Sequence, residues 1–580
     1  MAGGAGPIQG LAGDGGANAD PSPAGGPGDF PAWMAIALIA GLGLLAYANT
    51  FAGEFVWDDV SSIVLHEDVK DPARFGDLFT HDQHRYGRGE GGFYRPLLSV
   101  SFMLDYRLAR LGGLTNGAPD PFVFHVTSAA WHILAAGLFF ALAARFGTPL
   151  PAALAAALVY VVHPIHTEAV AYISGRADSM AAAGMFAALY FGAWDGSRRR
   201  RVAGTIGCAA ASAFAMLCKE SAMILPALAF LCAFGRPGGA GSRYVRFVPV
   251  AVSVLVLGAY VALRRYALPP SGGSSAPDTS FLERTIEAMQ SLAIYARLIA
   301  APAHLHMERT LSGVPAWAAW AGAGLLLAGI AAAVWAIRNG RPRAAIGLAW
   351  FVVAWLPISG LFPLNAPLAE HWMYVPLAGL LWALAEFAWP FLGRPPARGL
   401  ATAALFLSCA VLLSITVGRN RDWRSNESLY AATLRESPGS IRVRYGLAVT
   451  YENLVDNPIG ATREFETVNR LYDEIQSKSP LEGEPYLAYL ETRLSLAKLA
   501  LKSGRYQQAA DHFGAVLQAR RSEATMPHII EAALGMGRMY LIGGNDALAR
   551  TQFEFVKTYR PDLAFDLALL LMGAVRPDDL

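Results

Sequence analysis

The sequence predicts an all-α protein, in which a polytopic membrane module of about eleven transmembrane helices precedes an α-solenoid of tetratricopeptide-repeat type. Hydrophobic residues make up 54% of the 580 residues and charged residues only 16%, against roughly 25% charged in ordinary soluble domains. From Trp33 onward, apolar runs long enough to cross about 30 Å of hydrocarbon follow one another. After Trp423 the sequence becomes charged and helix-favouring, and an Ala-x-x-x-Phe pair recurs.

Charge and cysteine usage argue against several other classes of protein. The 47 Lys and Arg nearly balance the 45 Asp and Glu, so no global basic field exists to collect a nucleic acid. All four cysteines fall inside apolar runs and no Cys-x-x-Cys occurs. This usage indicates neither a disulfide framework nor a thiolate metal site.

The chain divides into three predicted segments. Residues 1–32 are rich in Gly, Ala, Pro and Asp and contain no Lys or Arg, which predicts a disordered tail rather than a cleaved signal peptide. Residues 33–420 form the membrane module, and residues 421–580 form the repeat domain. The predicted spans lie near 33–49, 122–144, 149–163, 179–195, 202–218, 221–235, 244–262, 315–337, 344–361, 371–391 and 399–418.

Arginines beside the span ends predict the orientation, because Lys and Arg in short loops stay in the cytoplasm. The arginine-bearing loops share one side if residues 286–302 are re-entrant or lie on the outer surface. The N-terminus is then cytoplasmic, whereas loop 50–121 and everything after Arg419 lie outside. The arginines concerned are Arg145, Arg198 to Arg201, Arg236, Arg243, Arg246, Arg338, Arg341, Arg343, Arg394 and Arg398.

The outer loop 50–121 is too long to be a simple connector, and loops of this length are usually functional. Asp71 and Pro72 form an N-cap and first-position pair that predicts the start of a short helix. Residues 97–111 are apolar but include Asp105, Arg107 and Arg110. This composition favours a helix in the membrane interface over one that crosses the membrane.

The C-terminal segment contains a repeated helical pattern. Gly504 and Gly544 stand at matching turn positions, so helix pairs of tetratricopeptide type are expected, with spacings longer than the usual 34 residues. An irregular helical bundle is the alternative. The repeated pairs are Ala461 and Phe465, Ala509 and Phe513, and Ala549 and Phe553.

An acidic pair, Asp58 and Asp59, follows the first span by about eight residues. Adjacent carboxylates in an outward loop can act as a base or hold a cation. Two acids in a row are also common in solvated turns and helix caps, so the pair by itself is a weak signal.

A second polar cluster lies between two apolar spans and contains His163, His166, Glu168, Arg176 and Asp178. Placing such ionisable groups inside the membrane costs free energy unless they face a cavity or pair with a partner. The histidines lack the i, i+4 ligand spacing of a helical metal site. Arg176 and the histidines are therefore interpreted as donors to a phosphate, since a guanidinium forks onto phosphate oxygens. A polar network that only packs the loop is the alternative.

Further polar residues lie at the predicted outer span ends. Lys219 and Glu220 separate two apolar spans with essentially no loop, which fits a salt bridge at the membrane edge as well as a functional role. For Glu308 and Arg309, surface ion pairing is the default interpretation, and His371 could simply anchor a helix end. The others are Arg95 and Glu370.

These motifs follow one another as in a known family. The chain resembles the transmembrane and tetratricopeptide-repeat-containing O-mannosyltransferases, as a bacterial-like member. The resemblance covers residues 50–235, 358–376, 415–430 and the repeat tail. The chain departs from the family in two ways: residues 236–357 match only loosely, and its repeat array is shorter than that of the family. The matching motifs are Phe55-Val-Trp-Asp-Asp-Val60, Tyr94-Arg-Pro-Leu97, His163-Pro-Ile-His-Thr-Glu-Ala-Val170, Gly175-Arg-Ala-Asp178 and Leu217-Cys-Lys-Glu220.

The resemblance implies a GT-C glycosyltransferase fold and an inverting transfer of a sugar, with mannose expected. The sugar would pass from a polyprenyl-phosphate donor to a Ser or Thr hydroxyl of a protein acceptor bound by the repeats. Asp58 or Asp59 would be the base, with Asp58 preferred. The expected phosphate ligands are Arg176, His163, His166 and Arg95, then Lys219 and Arg309, and the expected supporting residues are Glu168, Asp178, Glu220, Glu308, Glu370 and His371.

The same resemblance sets the expected partners and location. The partners are the lipid donor, a protein acceptor and membrane lipid, with no nucleic acid. No cofactor is required, although a divalent cation on Asp58 and Asp59 stays open. The expected location is a bacterial inner membrane, with the catalytic loops and the repeats in the periplasm.

Two other functions are compatible with parts of the sequence. A non-catalytic membrane anchor could carry the repeats as a scaffold for surface or export assembly, but an anchor does not need Arg, His and paired Asp at membrane depth. A transporter of lipid-linked sugars would need polar groups near the middle of the membrane. No such groups are evident within the predicted spans.

Overall fold

The computed structural model describes residues 31–572 except 87–91, 112–118, 236–244, 269–279, 363, 365 and 393–394. Within these residues the chain is helical, and the only extended pairing is one isolated bridge between Arg309 and Leu368. The predicted all-α class is confirmed. The predicted N-terminal tail up to residue 30, and Arg236, Arg243 and Arg394, lie outside the described residues.

The membrane module contains thirteen helices among the described residues, besides several short helical turns. In chain order they are α1 Ala32–Tyr47, α2 Pro96–Leu111, α3 Pro121–Arg145, α4 Leu150–Val162, α5 Arg176–Gly192, α6 Arg198–Cys218, α7 Leu225–Gly235, α8 Val248–Ala267, α9 Phe281–Ala300, α10 Trp317–Arg338, α11 Pro342–Trp355, α12 Tyr374–Leu392 and α13 Pro395–Asn420.

Seven helical segments of the described chain are long and apolar enough to cross a membrane, so the protein is an integral membrane protein. A further bent pair, Leu150–Val162 with Pro164–Val170, would make eight. Eleven spans were predicted, and the other four correspond to α4, α5, α7 and α11, which have only 11 to 17 residues. Proline explains one shortening, because Pro164 stands two residues after the end of α4 and cannot donate a backbone hydrogen bond.

Small residues bring the central helices into close contact. A Cβ atom on Gly347 of α11 would lie 2.6 Å from the carbonyl oxygen of Gly379 in α12. Likewise, a Cβ atom on Gly184 of α5 would lie 2.8 Å from that of Ala215 in α6. Such contacts let helices pack without a hydrophobic driving force between them. They also fix the helix ends from which the polar motifs project.

The outer loop and the segment 286–302 also contain helices. Asp71 accepts a hydrogen bond from the Ala73 backbone and caps residues 72–79, as predicted, although this helix is of the 3₁₀ type. The predicted helix over 97–111 is found as α2, and it exposes Leu104, Leu108 and Leu111. Residues 286–300 of this segment belong to α9, a continuous helix with a capping box at Ser280.

The C-terminal part consists of α14 Asn426–Glu436 followed by helix pairs, as predicted. These are α15 Ile441–Asn453 with α16 Pro458–Lys478, α17 Gly483–Lys502 with α18 Tyr506–Leu517, and α19 Met526–Ile542 with α20 Asp546–Tyr559, before a last helix, α21 Ala564–Leu571. The three Ala-x-x-x-Phe pairs are buried on the second helix of each pair. Gly504 and Gly544 adopt φ values of +71° and +73° at the turns, a conformation that glycine tolerates best.

Substitution of Gly537 by alanine is expected to destabilise the repeat part. A Cβ atom there would lie 2.3 Å from the Phe553 ring, and overpacking of this kind typically costs about 1–3 kcal/mol. Gly514→Ala is the matched control, because no atom lies within 4 Å of its added Cβ and alanine favours a helix over glycine. Thermal unfolding of the two full-length variants measures the difference. Equal melting temperatures would contradict the packing described here.

Candidate functional site

The two carboxylates of the acidic pair have different environments. Asp59 is fully buried. One carboxylate oxygen accepts hydrogen bonds from the backbone nitrogen and the hydroxyl of Ser174, at 2.7 and 2.6 Å. The other oxygen accepts from the Val56 backbone nitrogen at 3.1 Å. Asp59 therefore ties the outer loop to the segment that carries the Gly175-Arg176 motif.

Asp58 is only half-buried. The hydroxyl of Tyr172 lies beside its carboxylate, and His84 and Tyr430 are close enough to interact with it electrostatically. Burial lowers the pKa of His84, which favours a neutral imidazole beside the acid. Asp58 is thus the member of the pair with a carboxylate that a ligand can reach.

Trp57, the residue before the pair, adopts a left-handed backbone conformation with φ of +52°. Such a conformation costs a residue with a Cβ atom roughly 1–2 kcal/mol, so its surroundings must stabilise it. The Trp57 ring stacks on Tyr172 at 5.6 Å between centroids, and Tyr172 stacks on Trp423 at 5.4 Å. The Trp57 backbone nitrogen donates to the side-chain oxygen of Asn426 at 2.8 Å.

Eight of the predicted site residues form four ion pairs between motifs that are distant in sequence. Each pair joins an acid to an arginine, lysine or histidine. In the part of the chain that the structure describes, Lys219 does not pair with Glu220 and Arg309 does not pair with Glu308, whereas Glu308 forms a surface ion pair with Arg442. The pairs are Arg95 with Glu220 at 2.8 Å, Lys219 with Asp178 at 2.6 Å, Arg309 with Glu370 at 2.8 Å, and His371 with Glu168 at 2.9 Å.

A residue that the sequence interpretation missed, Arg419, lies beside the Arg309–Glu370 pair and is close enough to Glu168 to interact with it electrostatically. It is buried, and its guanidinium is 3.8 Å from Glu370 and 2.8 Å from Asp422. Its Nε and one terminal nitrogen have no hydrogen-bond partner among the described residues. The available signal was an arginine at the outer end of the last span, which the sequence analysis used only as a boundary.

Arg176 is fully buried and is surrounded by partners within the protein. Its guanidinium donates to Asp105, to the Ser128 hydroxyl at 3.1 Å and to the Phe124 carbonyl at 2.6 Å. In this arrangement no face of the side chain is left for a phosphate. The same pairing buries Asp105 of α2 inside the protein.

The two histidines of the predicted phosphate cluster are buried as well. His163 accepts from the Ile165 backbone nitrogen at 3.2 Å through Nδ1, and its Nε2 lies 3.0 Å from the Ile299 carbonyl. His166 packs among the rings of Tyr160, Tyr374 and His132. Neither ring nitrogen of His166 has a hydrogen-bond partner in the described chain.

The polar network around His166 corrects the expectation that no polar groups are evident within the predicted spans. His132 lies near the middle of α3, where its Nδ1 is 2.6 Å from the Tyr374 hydroxyl and its Nε2 is 3.0 Å from the Val161 carbonyl. Tyr160 donates to the Tyr374 carbonyl at 3.0 Å. These bonds satisfy polar groups that would otherwise be costly in an apolar interior.

An apolar cavity of about 1130 Å³ opens among α4, α9, α10, α11, α12 and α13. Its walls are almost entirely aliphatic and aromatic, with Val159, Leu292 and Phe351 among them. His163 and residues 300–303 line it as well. From there the chain continues to Met307, which belongs to the same buried apolar cluster as Val56 and Tyr172 of the acidic-loop region.

In the described part of the chain, no three His, Cys, Asp or Glu side chains are grouped so that they could hold a metal ion. A cation on the acidic pair would have to compete with protein donors, because both Asp59 oxygens already accept hydrogen bonds.

Comparisons with known proteins identify sequence relatives. Protein O-mannosyl-transferase TMTC4 of Mus musculus is 26% identical over 495 residues, which cover 74% of this chain and 65% of the relative. Protein O-mannosyl-transferase TMTC1 of Homo sapiens is 39% identical over 173 residues, which cover 29% and 18%. The predicted resemblance to the O-mannosyltransferases is confirmed. The chain spans just under two thirds of the length of the mouse relative.

Comparisons with family models and with solved structures give no argument about function. No family model matches the chain. The crystal structure of ArnT from Cupriavidus metallidurans bound to undecaprenyl phosphate overlaps 87% of this chain and 88% of that chain, at 16% identity and a TM-score of 0.38. A TM-score this low does not establish a common fold, so the function is argued from the sequence relatives and the site.

The ionisation of Asp59 is expected to control the hydrogen bonds that hold the acidic loop near neutral pH. Burial raises the pKa of Asp59 to about 7, although the Ser174 and Val56 donors oppose the shift. Above that pH the carboxylate accepts all its hydrogen bonds, whereas below it the added proton disrupts them. Under the transferase function proposed below, the ratio kcat/KM for the sugar donor should therefore fall as the pH decreases through about 7, and Asp59→Asn should not show this pH dependence. If kcat/KM of Asp59→Asn still fell as the pH decreased through about 7, the attribution of this pH dependence to Asp59 would be wrong.

Proposed function

We propose that this chain is a membrane glycosyltransferase of GT-C type that transfers a sugar, mannose by analogy with its relatives, from a polyprenyl phosphate to a protein hydroxyl. The observation that carries the proposal is the half-buried Asp58 on a loop that Asp59 fixes. The names of the sequence relatives support O-mannosyl transfer, and the large apolar cavity supports a lipid-linked donor.

Asp58 is the proposed general base. The acceptor hydroxyl must lose a proton as it attacks the anomeric carbon, and a positioned carboxylate typically contributes about 10²- to 10⁴-fold. Attack opposite to the departing phosphate inverts the configuration at that carbon. Asp59 is assigned to holding the loop, because its oxygens are occupied by Val56 and Ser174. Should a divalent cation take part, Asp58 is the freer ligand of the pair.

The departing lipid phosphate gains negative charge in the transition state, so fixed cationic donors lower the barrier. Arg95 and Arg309 are retained for this role, and Arg419 is added because it has buried N–H groups without hydrogen-bond partners in the described chain. Arg176 and Lys219 are assigned instead to holding helices together through Asp105 and Asp178. His163 would contact the lipid near the head group, since it lines the cavity.

The apolar cavity is the proposed site of the prenyl tail. Its volume exceeds the ~300–1,000 Å³ of ordinary small-molecule pockets, and its lining contains few polar atoms to anchor a soluble ligand. A hydrocarbon chain can pass from the bilayer into this cavity without exposing apolar surface to water, so the tail would stay in the cavity while the head group reacts.

The arginine pattern supports a site on the non-cytoplasmic side, which in a bacterium would be the periplasmic face of the inner membrane. Residues 33–420 would form the catalytic module and residues 421–580 the acceptor-binding repeats. Glu308 connects the two parts, because it accepts from Ser440 at 2.8 Å and contacts Arg442 at 3.4 Å.

Substitution of Asp58 tests the proposal directly. Asp58→Asn keeps the shape of the side chain but removes its basicity, so turnover should fall at least about 10²-fold while donor binding stays near wild type. The measurement is sugar release from a polyprenyl-phosphate mannose donor by the purified protein. Asp546→Asn, an exposed aspartate of α20, is the control and should keep wild-type turnover.

Wild-type turnover in Asp58→Asn would remove Asp58 from the mechanism. If wild-type protein releases no sugar from any polyprenyl-phosphate donor yet binds a peptide through its repeats, the scaffold function would be favoured over the enzyme.

A further inference from the structure

The start of the repeat domain contacts the acidic loop directly. The Asn426 side-chain oxygen accepts from the Trp57 backbone nitrogen at 2.8 Å, and the Arg424 carbonyl accepts from the Glu54 backbone nitrogen at 2.8 Å. Arg442 lies over the Trp57 ring, 5.5 Å from its centroid. Residues after the last span thus make three contacts with Glu54 and Trp57, which precede Asp58 in the acidic loop.

A buried apolar cluster lies at the same contact between the acidic loop and the repeat domain. Val56 of the loop, Tyr172 of the membrane module and Trp423, Leu429 and Val443 of the C-terminal part share one buried cluster. The loop therefore has apolar packing from both the membrane module and the repeats. The hydrogen bond from Trp57 to Asn426 lies at this junction, next to a backbone held in the left-handed region.

We propose that Asn426 is a positioning residue, which fixes the left-handed turn at Trp57 and so aims the adjacent Asp58 carboxylate at the acceptor hydroxyl. The inference rests on the proposed function of Asp58. Under this proposal the start of the repeat domain is part of the active site. A repeat domain that only bound the acceptor would need no contact with the acidic loop. Asn426 acts through the Trp57 backbone and touches neither substrate.

The chemistry of the contact explains why this residue type fits. Trp57 offers a backbone N–H at the turn, and an amide oxygen is a neutral acceptor for it. A hydrophobic residue at 426 would leave the N–H buried without a partner, which is unfavourable. Aspartate keeps an acceptor oxygen in the same place, so it should preserve the turn.

The test compares Asn426→Ala, Asn426→Asp and the control Asn469→Ala, with sugar release from polyprenyl-phosphate mannose as the assay. Asn469 is in α16 and bonds only to Asp473 among the described residues. For Asn426→Ala, kcat should fall about 10- to 100-fold, because misplacement by about 1 Å can cost 10²-fold. The KM for the donor should stay near wild type, Asn426→Asp should recover most of kcat, and Asn469→Ala should match wild type.

A second readout does not depend on activity. Backbone hydrogen exchange of residues 54–60 should become faster in Asn426→Ala and stay at the wild-type rate in Asn469→Ala. Arg442→Ala, at a mostly exposed side chain that does not threaten folding, should also lower kcat, although less than Asn426→Ala. Unchanged exchange in Asn426→Ala would overturn the inference, as would a kcat equal to that of Asn469→Ala.

Asp58→Asn in the same assay separates the two hypotheses. If Asp58→Asn is inactive and Asn426→Ala is fully active, the positioning role fails and the proposed function stands. If Asp58→Asn retains wild-type turnover, the proposed base itself fails, and faster exchange in Asn426→Ala would then show only that the contact holds the loop.

Discussion

Pairing of buried charges is the constraint on which the rest of this structure depends. A charge taken out of water is costly unless an opposite charge and further hydrogen bonds surround it, and removing one partner of such a pair typically costs about 3–5 kcal/mol. Arg176 with Asp105 joins α5 to α2, and Lys219, directly after the end of α6, joins Asp178 of α5. These pairs fix how the helices meet just below the site.

The same constraint distinguishes the catalytic candidate from its neighbours. Asp59 is occupied by Ser174 and Val56, and the acids of the four ion pairs are occupied by cations or by His371. Asp58 is half-buried and lies beside neutral phenols and an imidazole, whose pKa burial lowers. An acid in this position can accept a proton without breaking a structural pair.

The sequence predicted which residues gather, but it did not predict their partners. The prediction assigned the polar residues at the outer span ends to one side of the membrane. This assignment was enough to include Arg95, Glu220 and Glu370 in the predicted site. The partner of each depends on helix rotation and packing, which a hydropathy pattern does not contain. Arg176 shows the consequence, because the Gly-Arg-Ala-Asp motif has the same sequence whether its guanidinium faces a ligand or a buried Asp105.

The contribution of the repeat domain was the least accessible part from sequence. Asn426 stands directly after Ser425 at the start of α14 and looks like an ordinary helix-start residue. Its role depends on a contact with Trp57, 369 residues earlier in the chain. The periodic Ala and Phe positions, by contrast, depend only on local helix geometry, and they were predicted correctly.

The most direct test of the account is an experimental structure of the full-length protein with a polyprenyl phosphate. The account predicts hydrocarbon density in the apolar cavity against Val159 and Phe351, with the phosphate at the outer rim near Arg95, Arg309 or Arg419. A head group bound on the opposite side, near Arg198 to Arg201, or a tail outside the cavity would contradict it.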